Sequence, residues 1–299
     1  MRRLAIVTAR DSAELWGDGE HLLGALAHVG IEGVTVPWGR LLDPDQFVGA
    51  LIRTTWDYVD ARDEFIRWAR EVEALLPLTN DASLLEWNTD KRYLRDLERV
   101  GVPVVSTLWV EPGDDVPAVP WERFVVKPSV SCGGRHSASY SRTRGAAEGV
   151  AHAGSIATDG GVAMIQPHLR SVDEQGEVGV YVVDGAATHA VRKGGILVTG
   201  AAPVDDLSLA IEQHTGRADL DDELRAFALD AVGAIPAHLG RPLYARVDIV
   251  RGDSGEPLLI ELEAIEPFLF FEHTPEAAAP FAAAVDEWLH REHARRSGS

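Results

Sequence analysis

The chain has 299 residues, enough for two or three layered subdomains, and 45% of them are hydrophobic, as in an ordinary globular protein. A formal charge of -19 argues against nucleic acid or an anionic membrane surface as a partner, because both demand clustered lysine and arginine; an anionic ligand therefore needs a local basic site. The single cysteine, Cys132, rules out an internal disulfide, MRRLAIVTARD is too short an apolar run for a signal peptide, and no later stretch reaches membrane-span length, which together point to the cytoplasm.

Residues 4 to 8, LAIVT, read as a buried strand, and the pattern from Glu20 to Val29 reads as a helix stopped by Gly30. VTVPW and VGALIRTTWDY give two more strands, the second running into a polar aromatic loop from Arg53 to Tyr58. Phe65, Trp68, Val72 and Leu75 mark one stripe of a helix over 61–75. This alternation predicts an N-terminal α/β open-sheet domain, with its boundary at residue 87. In NTDKRYLRDLERVG, Asn88 reads as a helix N-cap, Leu94, Leu97 and Val100 as the apolar stripe, and Gly101 as the stop. FVVK is a strand feeding a Gly and Ser loop at 129–136. From Glu177 to Lys193 a hairpin is expected, with Asp184 and Gly185 in a type I′ turn; YARVDIV and LLIELEA form a second. Helices near 219–239 and 275–292 flank it, so the second part is α+β, and the tail HARRSGS from residue 293 is expected to be disordered.

The strand in PLLIELEAIEP places Glu261 and Glu263 on one face and Ile260, Leu262 and Ala264 on the other. With a loop at 252–257, Asp248 lies opposite Glu261 and Arg246 opposite Glu263. Hard oxygen donors without histidine or cysteine suit Mg²⁺; the alternative is a solvated face with a cross-strand Arg–Glu pair. Lys127 ends FVVK, and Ser131, Gly133 and Gly134 follow it. Glycine-rich turns let backbone N–H groups converge on phosphate oxygens beside a lysine, although neither the P-loop nor the dinucleotide-binding pattern occurs. Lys91, in the first turn of its expected helix, opposes the helix dipole and so has reason to meet an anion. Arg192 and Lys193 close the first hairpin as a further anion contact or as an exposed basic end. Cys132, His136 and His168 read as packing and loop residues.

Taken in order, Lys91 in NTDK, Lys127 in VVKP, the glycine loop, MIQPHL, Glu177 ahead of VYVVDG, and Asp248 with Glu261 resemble the ATP-grasp superfamily over nearly the whole chain. The glutathione synthetase-like and ribosomal-protein-modifying branches are nearest. The resemblance implies an α+β ATP-grasp fold whose lobes, at 88–170 and 171–292, hold ATP between them. It implies ATP phosphates at Lys91 and Lys127 under a flap carrying Ser131, Gly133 and Gly134, adenine along the backbone of Gln166, Pro167, His168 and Leu169, and ribose at Glu177. Two Mg²⁺ ions are implied on Asp248, Glu261 and Glu263, where Glu263 stands in place of the family's usual asparagine. The implied chemistry activates a carboxylate as an acyl phosphate for capture by nitrogen; Arg246 and Arg192, and after them Lys193, are the candidates to hold the acyl phosphate and oxyanion.

A narrower likeness, in RTTWDY, NTDKRYL and ELEAIEP, is to a subgroup that includes a cyclo-ligase closing O-ureido-D-serine to D-cycloserine. It implies a small amino-acid-like carboxylate substrate, with Arg53, Trp56, Asp57 and Tyr58 shaping its pocket; core packing of Trp56 and Tyr58 is the plain alternative. An intermolecular carboxylate-amine ligase and a non-catalytic nucleotide-binding module are the competing readings. No nucleic acid or membrane partner is expected, and a homo-oligomer is left open.

Overall fold

A computed structural model describes residues 1–298. Its first strand is apolar on both faces because both are covered, as a parallel sheet between helix layers requires. In β1 (Arg2–Thr8), Leu4 and Ile6 face α1 (Gly19–His28), while Ala5 and Val7 face α2 (Arg62–Leu75). β1 pairs in parallel with β2 (Ile31–Pro37) and β3 (Gly49–Thr54), and β4 (Leu78–Thr79) completes the order β2-β1-β3-β4. Phe65, Trp68 and Val72 of α2 are buried, but Leu75 is 44% exposed. The helix ends there, the chain becomes extended, and Leu76 takes the core position instead.

The helix expected from Asn88 onward is two helices, α3 (Ala82–Asn88) and α4 (Tyr93–Arg99). Asn88 closes the first rather than capping the second. Between them the Asp90 carboxylate accepts the Arg92 N–H at 3.0 Å, and the Lys91 N–H donates to the Ser129 carbonyl at 2.9 Å. Lys91 is thus in the inter-helix turn, not in a helical first turn. Val100 falls beyond α4 and is 65% exposed.

A second sheet is antiparallel, in the order β5-β8-β6-β7, from β5 (Leu108–Val110), β6 (Arg123–Pro128), β7 (Ala138–Ser141) and β8 (Ala163–Pro167), with α5 (Ala146–Thr158) on one face. After α6 (Arg170–Gln175) come β9 (Glu177–Val183) and β10 (Ala186–Lys193), joined through Asp184 and Gly185, whose φ values of 46° and 81° are those a tight two-residue hairpin turn needs. α7 (Ser208–Ile211), β11 (Thr215–Ala218), α8 (Asp222–Gly233), β12 (Tyr244–Arg251), β13 (Pro257–Glu263) and α9 (Ala278–Ser297) complete the chain. The third sheet runs β11-β10-β9-β12-β13 and is antiparallel throughout.

The two faces of this third sheet have different fates. Val180, Val182, Ala190, Ala245, Val247, Leu259 and Leu262 pack with Leu224, Ala228 and Ala231 of α8. On the opposite face, Tyr181, Val183, Val191 and Tyr244 join the core shared with α1 and α9, and further along the same face stand Arg246 and Asp248. Asp248 lies opposite Glu261 and Arg246 opposite Glu263. The register then shifts, with Ile249 opposite Leu259, so Ile260 is left unpaired. This bulge turns Ile260 toward the cleft lined by the two glutamates, away from the apolar face where simple alternation puts it.

β13 is a sheet edge, and side chains and backbone from elsewhere satisfy it. Asn88 Nδ2 donates to the Leu262 carbonyl at 2.8 Å and its Oδ1 accepts the Ala264 N–H at 2.7 Å. The Tyr93 hydroxyl accepts the Leu262 N–H at 2.8 Å, and Leu259 bonds the backbone of Pro103 and Val105. Of the tail expected to be disordered from 293 to 299, His293 to Ser297 are helical, and Ser299 lies outside the described residues. α9 continues to Ser297 because His293 reaches the Val48 carbonyl at 2.9 Å and Arg296 reaches the Glu73 and Leu76 carbonyls. Among the described residues no helix is long and apolar enough to cross a membrane.

Replacing Asn88 with alanine leaves a buried carbonyl and a buried N–H on β13 without partners. Each costs about 1–3 kcal/mol, so Asn88→Ala should lower unfolding free energy by roughly 2–4 kcal/mol in a denaturant titration, whereas Val100→Ala should change it by less than about 0.5 kcal/mol.

Candidate active site

A cleft opens between the second and third sheets, and its floor is the polar part of the third. Arg246 organises it: Nε donates to Asp248 Oδ1 at 2.8 Å, and Nη2 donates to Asp248 Oδ2 at 2.9 Å and to Glu263 Oε1 at 2.5 Å. Asp248 is fully buried and also meets Lys193 Nζ at 2.8 Å. Burial alone would raise its pKa, but Arg246 and Lys193 hold it down to about 2. Gly179, opposite Asp248 on β9, makes the space: a Cβ there would lie 2.9 Å from both Arg246 Cδ and Asp248 Oδ1.

Asp248, Glu261 and Glu263 each bring one carboxylate oxygen within 4.8 Å of the others. Asp248 is already engaged at both oxygens, so Glu261 and Glu263, about a quarter exposed, present the open ones. Lys91 Nζ lies 3.0 Å from Glu261 Oε1 and donates to the Ser131 carbonyl. Against the effect of burial, Lys91 and Lys127 keep Glu261 below the usual carboxylate range. Glu263 behaves oppositely. Burial, with repulsion from Glu261 and Asp248 added, outweighs the pull of Arg246 and pushes it up to about 7. A group of hard oxygens with one member short of counter-charge fits a divalent cation.

Lys127, next to last in β6, lines the same cleft and, among the described residues, has no hydrogen-bond or salt-bridge partner; burial pulls its pKa down. Ser131, Gly133 and Gly134 line the cleft beside it. Both glycines have positive φ, 59° and 78°, a backbone that favours glycine, and a Cβ on either would displace the Leu207 or Ile196 side chain packed against it. Arg135 anchors the loop's far end to Asp60 and Asp205 at 3.0 Å each.

Gln166, Pro167, His168 and Leu169 form one wall, with Glu177 at its end bonded to Lys193 Nζ at 3.1 Å. The His168 ring is locked between Ser139, Arg123 and Asp173, and the His168 backbone N–H donates to the Arg123 carbonyl at 3.0 Å. What His168 can offer a ligand is therefore its carbonyl.

Besides fully buried Asp248, which lies behind Glu261 and Glu263, four candidates do not line the cleft. Arg192 and Lys193 are neighbours on a strand and must point to opposite faces. Lys193 takes the cleft side, while Arg192 reaches outward to the Gln175 carbonyl at 2.6 Å. Asp57 accepts the Trp38 indole N–H at 2.6 Å and an Arg10 guanidinium at 3.1 Å, which turns it away. Tyr58 stacks on Phe65 in the core. Arg53, 1% exposed, donates to the Pro267 carbonyl at 2.7 Å and contacts Asp18 at 3.3 Å. Only Trp56 of RTTWDY reaches the cleft. Glu266, Trp16 and Phe268 line it as well and were not anticipated. Glu266 was within sight, since ELEAIEP carries a third acid, but it lies past the strand, where alternation no longer tells direction.

The fold and site together define a class. A D-alanine–D-alanine ligase from Bacillus anthracis, complexed with ATP, matches the whole of both chains with a TM-score of 0.67 at 14% identity, and the fold is the ATP-grasp fold. The family described as "D-cycloserine synthetase DcsG, N-terminal domain" matches residues 4–80. The cycloserine biosynthesis protein DcsG of Streptomyces lavendulae is 34% identical over 96% of this chain and 98% of its own length. The crystal structure of D-cycloserine synthetase DcsG covers 96% of this chain and 99% of that one, with a TM-score of 0.85 at 32% identity. The chain belongs to the D-cycloserine synthetase family of ATP-grasp ligases.

Because Glu263 holds its proton up to about pH 7, a cation binding there below that pH must displace the proton. Mg²⁺ affinity measured by calorimetry on the ATP-analogue complex should therefore rise with pH and level off above about 7. In Glu263→Asn that part of the pH dependence should vanish.

Proposed function

We propose that this chain is an ATP-dependent cyclo-ligase that closes O-ureido-D-serine to D-cycloserine. The observation that carries the nucleotide part is Lys127, a buried cation with no hydrogen-bond or salt-bridge partner among the described residues, beside Lys91 in a cleft walled by a glycine loop. A polyphosphate supplies what it lacks. Kinship with a cycloserine biosynthesis protein along nearly all of both chains supports the substrate.

In this reading the lobes at 88–170 and 171–292 enclose ATP and the domain at 1–87 borders the amino acid. Adenine lies along Gln166 to Leu169, ribose at Glu177, and phosphates at Lys91 and Lys127 under Ser131, Gly133 and Gly134. Glu261 and Glu263, with Asp248 behind them, would hold Mg²⁺, two ions in this reading, which supplies neutralisation of the phosphoryl charge. The substrate carboxylate attacks the γ-phosphorus and ADP leaves, giving an acyl phosphate. The nitrogen bonded to the side-chain oxygen then attacks the acyl carbon and loses its proton; phosphate departs and a five-membered ring closes. Water cleaves the carbamoyl group, releasing carbon dioxide and ammonia. Ring closure needs no second bound amine, so proximity supplies much of the acceleration. Arg246 Nη1, which has no hydrogen-bond partner among the described residues while Nε and Nη2 are engaged, is the donor available to the oxyanion.

Incubation with ATP, Mg²⁺ and O-ureido-D-serine should yield ADP, phosphate and D-cycloserine, while the L-enantiomer yields no ring. ATP consumption that appears only after a separate amine is added would overturn cyclisation in favour of intermolecular ligation. Glu261→Gln should lower kcat by about 100-fold or more, with amino-acid binding little changed.

A further inference from the structure

The reaction just described leaves one acid of the cleft without a task. Glu266 lines the cleft, is 5% exposed, and its Oε2 has no hydrogen-bond partner among the described residues. The wall it shares is aromatic. Trp56 and Phe268 lie 4.7 Å apart at 36°, and Trp16 stands edge-on to them at 5.8 Å and 6.4 Å.

This wall is held from behind. Trp56 Nε1 donates to the Glu266 carbonyl at 3.2 Å, Arg53 donates to the Pro267 carbonyl, and buried Asp18 accepts the N–H groups of Leu269 and Phe271 at 2.7 Å and 3.0 Å. Two of the cleft aromatics, Trp16 and Phe270, have φ of 48° and 50°, a left-handed backbone that bulky residues seldom adopt. Such conformations persist where the surroundings enforce them, and they gather at binding sites.

The missing partner is a cation. A buried carboxyl oxygen without a partner is costly, and the Tyr58 hydrogen bond leaves Glu266 Oε2 in that state. Burial first, and the charge of Glu263 next, push its pKa well above the usual range, with Lys91 and a Tyr58 hydrogen bond opposing. A bound cation would restore the ionised form. A bare metal ion demands several hard oxygens, which the indole and phenyl faces do not offer. An alkylammonium suits both halves, with N–H groups for the carboxylate and positive charge for the ring faces. An amino acid whose carboxylate is activated at the phosphate end carries its ammonium one carbon away, so the subsite must adjoin the metal-binding carboxylates. Glu266 follows Glu263 by one short turn of chain.

We propose that Glu266, with the ring faces of Trp16, Trp56 and Phe268, forms the subsite for the α-ammonium group of the substrate. This rests on the amino-acid reading given above. It also gives Arg53 and Asp18 a role as positioning residues for the 266–271 segment.

The test measures binding, by calorimetry on the whole chain with Mg²⁺ and a non-hydrolysable ATP analogue. Its two ligands are O-ureido-D-serine and the same molecule with hydrogen in place of the ammonium. The wild type should bind the parent about 10- to 100-fold more tightly than the deaminated compound, the scale of a charge-assisted hydrogen bond in a dry site. Glu266→Gln, isosteric and uncharged, should bind the two alike while keeping its melting temperature and its affinity for the ATP analogue. Equal binding by the wild type, or discrimination kept by Glu266→Gln, would overturn the subsite. So would a loss in that variant falling on Mg²⁺ or nucleotide, which would make Glu266 part of the metal site. Discrimination without ring formation under turnover conditions would sink the cyclo-ligase reading and leave the subsite standing, and failure of the wild type to bind the parent would sink both.

Discussion

The site depends on one guanidinium. Asp248, Glu261 and Glu263 stand on adjoining strands of a face that is apolar elsewhere, and carboxylates that close repel each other. Arg246 bonds Asp248 through Nε and Nη2 and reaches Glu263 with Nη2, while Lys193 takes the other side of Asp248 and Lys91 takes Glu261. A buried ion pair of this kind adds little net stability, yet losing one partner costs about 3–5 kcal/mol because the other charge is stranded. The charges therefore hold each other in place without an added ligand. Glu263 shares Arg246 with Asp248, while Lys127 and Glu266 Oε2 have no direct partner among the described residues, and all three side chains line the cleft.

The N-terminal domain contributes mainly by restraint. Arg53, Asp18 and the Trp56 indole each hold a piece of the backbone between 266 and 271, so the segment that follows β13 keeps its course without belonging to a sheet. Asn80 and Asn88 act similarly on Ala264 and Leu262, each amide satisfying a donor and an acceptor of the backbone near the edge strand. Polar side chains conserve the geometry here because a buried amide both gives and accepts hydrogen bonds, which an apolar contact cannot do.

The register of the strand hairpin was readable in sequence from Arg246 to Asp248, since side chains alternate and few pairings keep Val247 and Leu262 on the apolar side, but from Ile249 to the turn the pairing is shifted by one residue. The Gly loop and the two cleft lysines were readable as residue types. The helix break at 89–92 was not, because the competing bonds come from Asp90 locally and from Ser129, some forty residues away. The Ile260 bulge inverted one side chain against the alternation that placed its neighbours correctly. Arg192 could have been excluded by that same alternation, once Lys193 was given to the cleft.

By itself, the sequence determined which side chains share a strand face, and hence that Arg246, Asp248, Glu261 and Glu263 form one patch, because a period of two is a property of the extended backbone. Only the tertiary structure decided that this patch is the floor of a cleft and not a solvated surface. That depends on the second sheet, the 266–271 segment and the aromatic wall closing over it, contacts between residues distant in the chain whose energy no local pattern records.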